Sequence, residues 1–175
     1  KKRSVAKLNT FLKKIGYPSK WKNYDDVTID KTNCFASAKS VQLHNQKEML
    51  NNIGKPVDRM EWAMSAPTVN AYYNPSNNEI VFPAGILQPP FFNVNADDAI
   101  NYGAIGMVIG HEMTHGFDDQ GSQYDEVGNL VNWWTKEDGV KFKAKTNQVV
   151  TQYNAFTVLD TLHLNGELTQ GENIA

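Results

Sequence analysis

Apolar residues recur at helical spacing near the start of the chain. Val5, Leu8, Phe11, Leu12 and Ile15 share one face of a helix predicted over residues 4–15, with Gly16 and Pro18 as its stop. Val27 and Ile29 predict a short extended stretch, and residues 35–53 return to a helical pattern that ends at Gly54 with Pro56 beyond. From Thr68 to Phe82 the pattern changes. Two runs rich in Val, Tyr, Ile and Phe flank Asn74-Pro75-Ser76-Asn77-Asn78, which predicts a strand pair around a turn. Pro83, Pro89 and Pro90 make the stretch to Phe92 an irregular connector, because proline lacks a backbone donor and resists helix continuation.

A second long helix is predicted over about 96–115, with Asn95 as N-cap, Asp97 and Asp98 in the first turn, and Gly116 at its end. Its middle, Ile105 to Ile109, is apolar nearly all round and is interspersed with Gly103, Gly106 and Gly110, which predicts a buried helix approached closely by its neighbours. A further helix is expected from Thr135, with Asp138 completing an imperfect capping box, to about Ala155. The final residues, Gly171-Glu172-Asn173-Ile174-Ala175, hold no helix-ending signal, so the sequence is expected to be cut there. Together these elements predict an α+β domain, mainly helical with a small β-sheet.

Composition narrows the function classes. With 175 residues, 41% of them hydrophobic, the chain can build one ordinary core. A net charge of -2, from 17 Lys+Arg against 19 Asp+Glu, gives no electrostatic case for nucleic acid or an anionic membrane. No apolar run approaches the ~20 residues needed to span a bilayer. The single cysteine, Cys34, cannot form an internal disulfide and reads as a small buried hydrophobe.

The strongest chemical signal is His111-Glu112-Met113-Thr114-His115. Residues four apart share a helix face, so two imidazoles can aim at one point, and the intervening Glu112 can reach a water there without itself coordinating. Chance gives this pattern in a chain of this composition roughly 0.4% of the time, and two core histidines with a glutamate would incur a desolvation cost. Catalytic zinc keeps three protein ligands and one open position, so a third ligand should lie elsewhere. The residues after His115 exclude a nearby third histidine. His163 and Glu172 are both distant candidates that periodicity does not separate, while His44 looks solvated.

Four blocks then resemble, in order, the neprilysin family of zinc endopeptidases: Val69-Asn70-Ala71-Tyr72-Tyr73, the run from Phe82 to Phe92, Gly110 to Asp119, and Gly171 to Ala175. The lack of family cysteines is similar to the bacterial endopeptidase O type. This resemblance implies part of a thermolysin-like catalytic domain over residues 1–175, truncated at both ends, with the remainder of that domain and an upstream helical lobe missing. It implies that Glu172, on a segment of about 167–175, is the third ligand of one zinc ion per chain with His111 and His115, and that Glu112 is the general base. By the same resemblance Asn70 and the backbone of Ala71 hold substrate, and Ile86, Phe91, Met107 and Val108 line the pocket for the residue after the scissile bond. Asp118 is similar to a carboxylate that orients a ligand histidine. The implied activity is hydrolysis of oligopeptides on the amino side of bulky hydrophobic residues, weak or absent in this piece alone. The implied location is a bacterial cytoplasm, with a membrane-anchored or extracellular parent as the alternative. A non-catalytic zinc-binding or peptide-binding module is the competing class, and Glu112 argues against it, since a structural metal needs no base.

Overall fold

The computed structural model describes residues 1–175, which form two compact units, Lys1–Tyr17 with Ala63–Ala175, and Pro18–Trp62. In the first, β1 (Leu12–Gly16), β2 (Tyr72–Asn74) and β3 (Glu79–Pro83) make a sheet of order β1-β3-β2. The predicted strand pair is β2 and β3, antiparallel, with Tyr73 opposite Ile80. Its turn ends at Asn78, whose φ of 47° is left-handed and tolerable for asparagine. Asn78 is fully buried; its Nδ2 donates to the carbonyls of Lys7 and Glu126, and its Oδ1 accepts from the Tyr73 hydroxyl.

The helix expected over 4–15 stops early. Helix α1 spans Lys2–Asn9, and Leu12 onward becomes β1, parallel to β3 with Leu12 opposite Glu79 and Lys14 opposite Val81. The strand buries Lys14 and exposes Ile15, the reverse of an apolar-inward alternation. Its cause is the Lys14 ammonium, which lies 2.7 Å from Glu79 Oε2 with both side chains almost wholly covered. Hydrophobic periodicity cannot announce a strand whose inward residue is a lysine.

The predicted long helix is two helices, α3 (Asp98–Gly103) and α4 (Ile105–His115). Ala104 breaks it with φ -101° and ψ -90°, and the Ile105 amide turns to the Phe91 carbonyl at 2.9 Å. The N-cap is Asp97, which accepts from the Ala99 amide, and Asn95 lies outside. Only Ile105 and Glu112 of α4 are buried, and Met107 is 59% exposed, so the helix is covered on one side and not all round. That covered side faces a core of Phe11, Ala71, Ile80, Phe82, Ile86 and Ile105, with Val108, Met113 and Phe117 packed against it. Full burial of each large core side chain stabilises by about 1.5–3 kcal/mol. Helix α5 (Lys136–Asn154) starts where the sequence predicts, with Thr135 Oγ1 accepting from the Asp138 amide. The hairpin β4 (Thr157–Leu159) and β5 (Leu162–His163) and the short α6 (Gln170–Ile174) complete the unit. The fold is α+β.

In the second unit α2 (Cys34–Asn51) matches its predicted span and is capped by Asn33, whose side chain accepts from the Ala36 amide. Val27 and Ile29 form no strand. The Thr28 and Asp30 amides instead donate to the hydroxyls of Ser40 and Ser37 on α2, leaving that backbone no strand partner to seek. His44 is 6% exposed and bonded through Nδ1 to Asp26, so it is not solvated. Cys34, as the first residue of α2, is exposed and not a buried hydrophobe. No helix of the chain is long and apolar enough to cross a membrane.

The Lys14 to Glu79 pair generates a stability prediction. Glu79→Ala removes the buried counter-charge of Lys14 and is expected to cost about 3–5 kcal/mol in urea unfolding, whereas Lys14→Met with Glu79→Leu together should cost far less. Equal losses in the single and double variants would contradict this account.

Candidate metal centre

Helix α4 ends on the two histidines. Because they lie four residues apart, their rings emerge on one face, and the Nε2 atoms stand 3.0 Å apart with the rings edge to face. Helix α6 brings Glu172 to the same place, its Oε2 lying 3.4 Å from His111 Nε2 and 3.7 Å from His115 Nε2. Three donors held by one tetrahedral metal at about 2.0–2.1 Å stand roughly 3.3–3.4 Å from one another. The observed spacings bracket that value, so the donor set fits a zinc ion in size and in chemistry. His163 does not belong to the cluster, since it is exposed on β5 with its Nδ1 near the Thr157 hydroxyl.

The donor atom of His115 is fixed by its other nitrogen. Nδ1 lies 2.7 Å from Asp118 Oδ2, and with Nδ1 as donor the free lone pair is on Nε2, facing the cluster. The hydrogen bond to Asp118 pushes the His115 imidazole up, against the effect of burial, with the charges of Asp118, Glu172 and Glu112 adding to it. Asp118 is itself immobilised: its Oδ1 accepts from the amides of Gln120 and Gly121, at 2.9 and 2.7 Å. Gly121 is required there, because a Cβ on it would stand 1.8 Å from the His115 carbonyl oxygen. Gly171 on α6 is a milder case, where a Cβ would lie 3.0 Å from Asp119 Oδ1 and 3.2 Å from Asp118 Oδ2, a tight contact with side-chain oxygens. The residue before Glu172 can thus press directly on the two aspartates.

Glu112 sits on the covered side of α4 at 5% exposure. Burial pushes its carboxyl up, His115 pulls it down, Glu172 pushes it up, and a hydrogen bond from the Tyr73 amide pulls it down. The Tyr73 backbone on β2 thus acts on the carboxylate electrostatically, as the weakest of these influences. Around these groups lies a cleft of about 480 Å³ whose wall includes Asn70, Ala71, Tyr73, Gln120 and Gly121. Of the residues expected to touch substrate, Asn70 and Ala71 are at the cleft, with the Asn70 Oδ1 accepting from the Ala71 amide at 2.9 Å. Ile86 lies in the core, Phe91 and Val108 pack on that core, and Met107 is exposed. None of these four is on the wall of the cleft.

Sequence reasoning missed Tyr73, Gln120 and Gly121. Gly121 had a signal, a glycine three residues after an Asp that lies just past a helix end, where an Asx-type turn can form. Tyr73 had none, since its contribution is a main-chain amide.

Residues 70–175 match the family described as Peptidase family M13. An endothelin-converting enzyme homolog of Locusta migratoria is 49% identical over 154 residues, which cover 88% of this chain and 21% of that protein. Human neprilysin is 42% identical over 185 residues, covering 100% of this chain and 25% of its own length. Among solved structures, the Mycobacterium tuberculosis zinc metalloprotease ZMP1 in complex with inhibitor matches with a TM-score of 0.94 at 51% identity, over 99% of this chain and 27% of that one. PepO from Lactobacillus rhamnosis matches at 0.89 and 37% identity, over 98% of this chain and 28% of that one. The chain spans about a quarter of the length of these relatives.

Proposed function

The chain belongs to peptidase family M13, and from that membership we propose that it is the metal-binding core of a zinc-dependent endopeptidase, with His111, His115 and Glu172 as ligands of one zinc and Glu112 as general base. The observation that supports this best is the convergence of three donor atoms within 4.8 Å of one another beside a buried carboxylate. A bound zinc ion supplies Lewis acidity, which polarises a peptide carbonyl and acidifies water. Glu112 takes the proton of the attacking water and passes it to the leaving nitrogen, and its raised carboxyl is better matched to that exchange near neutral pH than an exposed glutamate. Asp118 holds His115 in the tautomer that presents Nε2. The strand edge by Asn70 and Ala71 receives an extended peptide through main-chain hydrogen bonds, because β2 is the outer strand of its sheet.

Metal analysis tests the ligand set. The purified chain should take up one zinc, lose it with Glu172→Ala and keep it with His163→Ala. Zinc that follows His163 would overturn the assignment. In the full-length parent, Glu112→Gln should retain the metal while peptide hydrolysis falls by at least two orders of magnitude. Normal turnover in that variant would remove Glu112 from the chemistry.

The preferred peptides are oligopeptides cut on the amino side of bulky apolar residues, a preference carried by the family resemblance alone, since Ile86, Phe91, Met107 and Val108 lie off the wall of this cleft. Mapping the parent's cleavage sites in a peptide library checks this. A distribution indifferent to the residue after the cut would refute it.

A further inference from the structure

We propose, on the metal-centre reading above, that Lys7 is a positioning residue for that centre, acting through Gly121 and Asp118 on the orientation of His115. Lys7 lies on α1, more than a hundred residues from the histidines in sequence, and is 1% exposed. Its Nζ donates to the carbonyls of Gly121 and Tyr124, at 2.6 and 2.7 Å. The ammonium also lies 5.6 Å from the ring of Phe117 and 5.8 Å from that of Tyr73, inside cation–π range. It keeps company with the charges of Asp118, Asp125 and Glu126, which oppose the effect of burial on it.

Gly121 is the joint through which this reaches the site. Its carbonyl is held by Lys7, its amide donates to Asp118 Oδ1, and its Cα presses on the backbone of His115 so closely that no Cβ fits. Asp118 Oδ2 in turn accepts from His115 Nδ1, the nitrogen opposite the donor atom. The loop after α4 holds a single 3-10 turn, Gly121–Gln123, and the indoles of Trp133 and Trp134 donate to the Tyr124 and Ser122 carbonyls, while the side-chain donor on the Gly121 carbonyl is Lys7. A buried glycine is also the residue with the most backbone freedom to lose. An ammonium with two charge-assisted bonds to that loop fixes it far more firmly than a neutral donor would. Without it the Asp118 carboxylate loses its fixed amide donors and can rotate away from the imidazole.

Four variants of the 175-residue chain, Lys7→Met, Lys14→Met, Asp118→Asn and the double Lys7→Met with Asp118→Asn, separate this from a general loss of stability. The Lys14→Met chain removes a different buried lysine and serves as the structural control. Each protein is titrated with zinc against a chromophoric chelator, its cobalt(II)-loaded visible spectrum is recorded, and its thermal midpoint is measured. Partners of a ligand histidine typically contribute 10- to 100-fold to metal affinity, so Lys7→Met, one bond further out, is expected to weaken it on the order of threefold to tenfold and to shift the cobalt bands. Lys14→Met is expected to lower the thermal midpoint and leave affinity and spectrum unchanged. Because Lys7 acts through Asp118, adding Lys7→Met to Asp118→Asn should weaken affinity no further. If Lys7→Met does not fold, Lys7→Gln, which keeps a neutral donor, enters the same comparison. A Lys7 variant that loses stability but keeps affinity and spectrum overturns the inference, as do losses that multiply with those of Asp118→Asn. A wild-type chain that takes up no metal overturns the proposed metal centre itself, and the inference with it.

Discussion

The bond between Asp118 and His115 is the constraint from which the geometry of the centre follows. A histidine at the end of a helix can rotate about two side-chain torsions, and only one arrangement aims its Nε2 at a neighbour four residues back. Asp118 selects that arrangement by occupying Nδ1, and it can do so because two loop amides hold its other oxygen. The turn that presents those amides is possible only with glycine at 121, where the loop folds back onto the helix end. One side-chain hydrogen bond thereby depends on the shape of a whole loop, and charge-assisted bonds of this kind contribute about 1.5–3 kcal/mol each.

The sheet serves the same centre from the other side. Strand β2 lines the cleft with Tyr73 beside Glu112, and Asn78 accepts from the Tyr73 hydroxyl at the end of the turn that follows. Asn78 also donates to the backbone of Lys7 and Glu126, so α1, the hairpin and the loop after α4 are tied by one buried amide group. Burial pushes the Glu112 carboxyl up where it faces the two imidazoles. The same strand, β2, is an outer strand of the sheet, so the cleft beside the histidines has a strand edge along one wall.

Much of this was legible in the sequence where the signal is local. The pairing of His111 with His115 follows from helix periodicity, the strand pair from its turn residues, and the start of α5 from Thr135 and Asp138. Glu172 could be preferred over His163 only through the resemblance of four blocks, because nothing in spacing alone brings a residue 57 positions after His115 to that point. Local signals also misled. The apolar stripe of residues 4–15 was cut into a helix and a strand, and the long helix over 96–115 was broken at Ala104 when the Ile105 amide found the Phe91 carbonyl.

What the amino-acid sequence determined by itself was the chemistry available: two imidazoles and a carboxylate on adjacent turns of one helix, with aspartates just beyond. Tertiary structure decided which groups meet. It brought Glu172 beside the two imidazoles, buried Lys14 against Glu79, and set Lys7 beneath the loop that holds Asp118. The physical reason is the same in each case. Charged side chains carry no periodic signature of burial, and their positions are set by partners far along the chain, where desolvation is offset only if a particular oppositely charged or hydrogen-bonding group arrives.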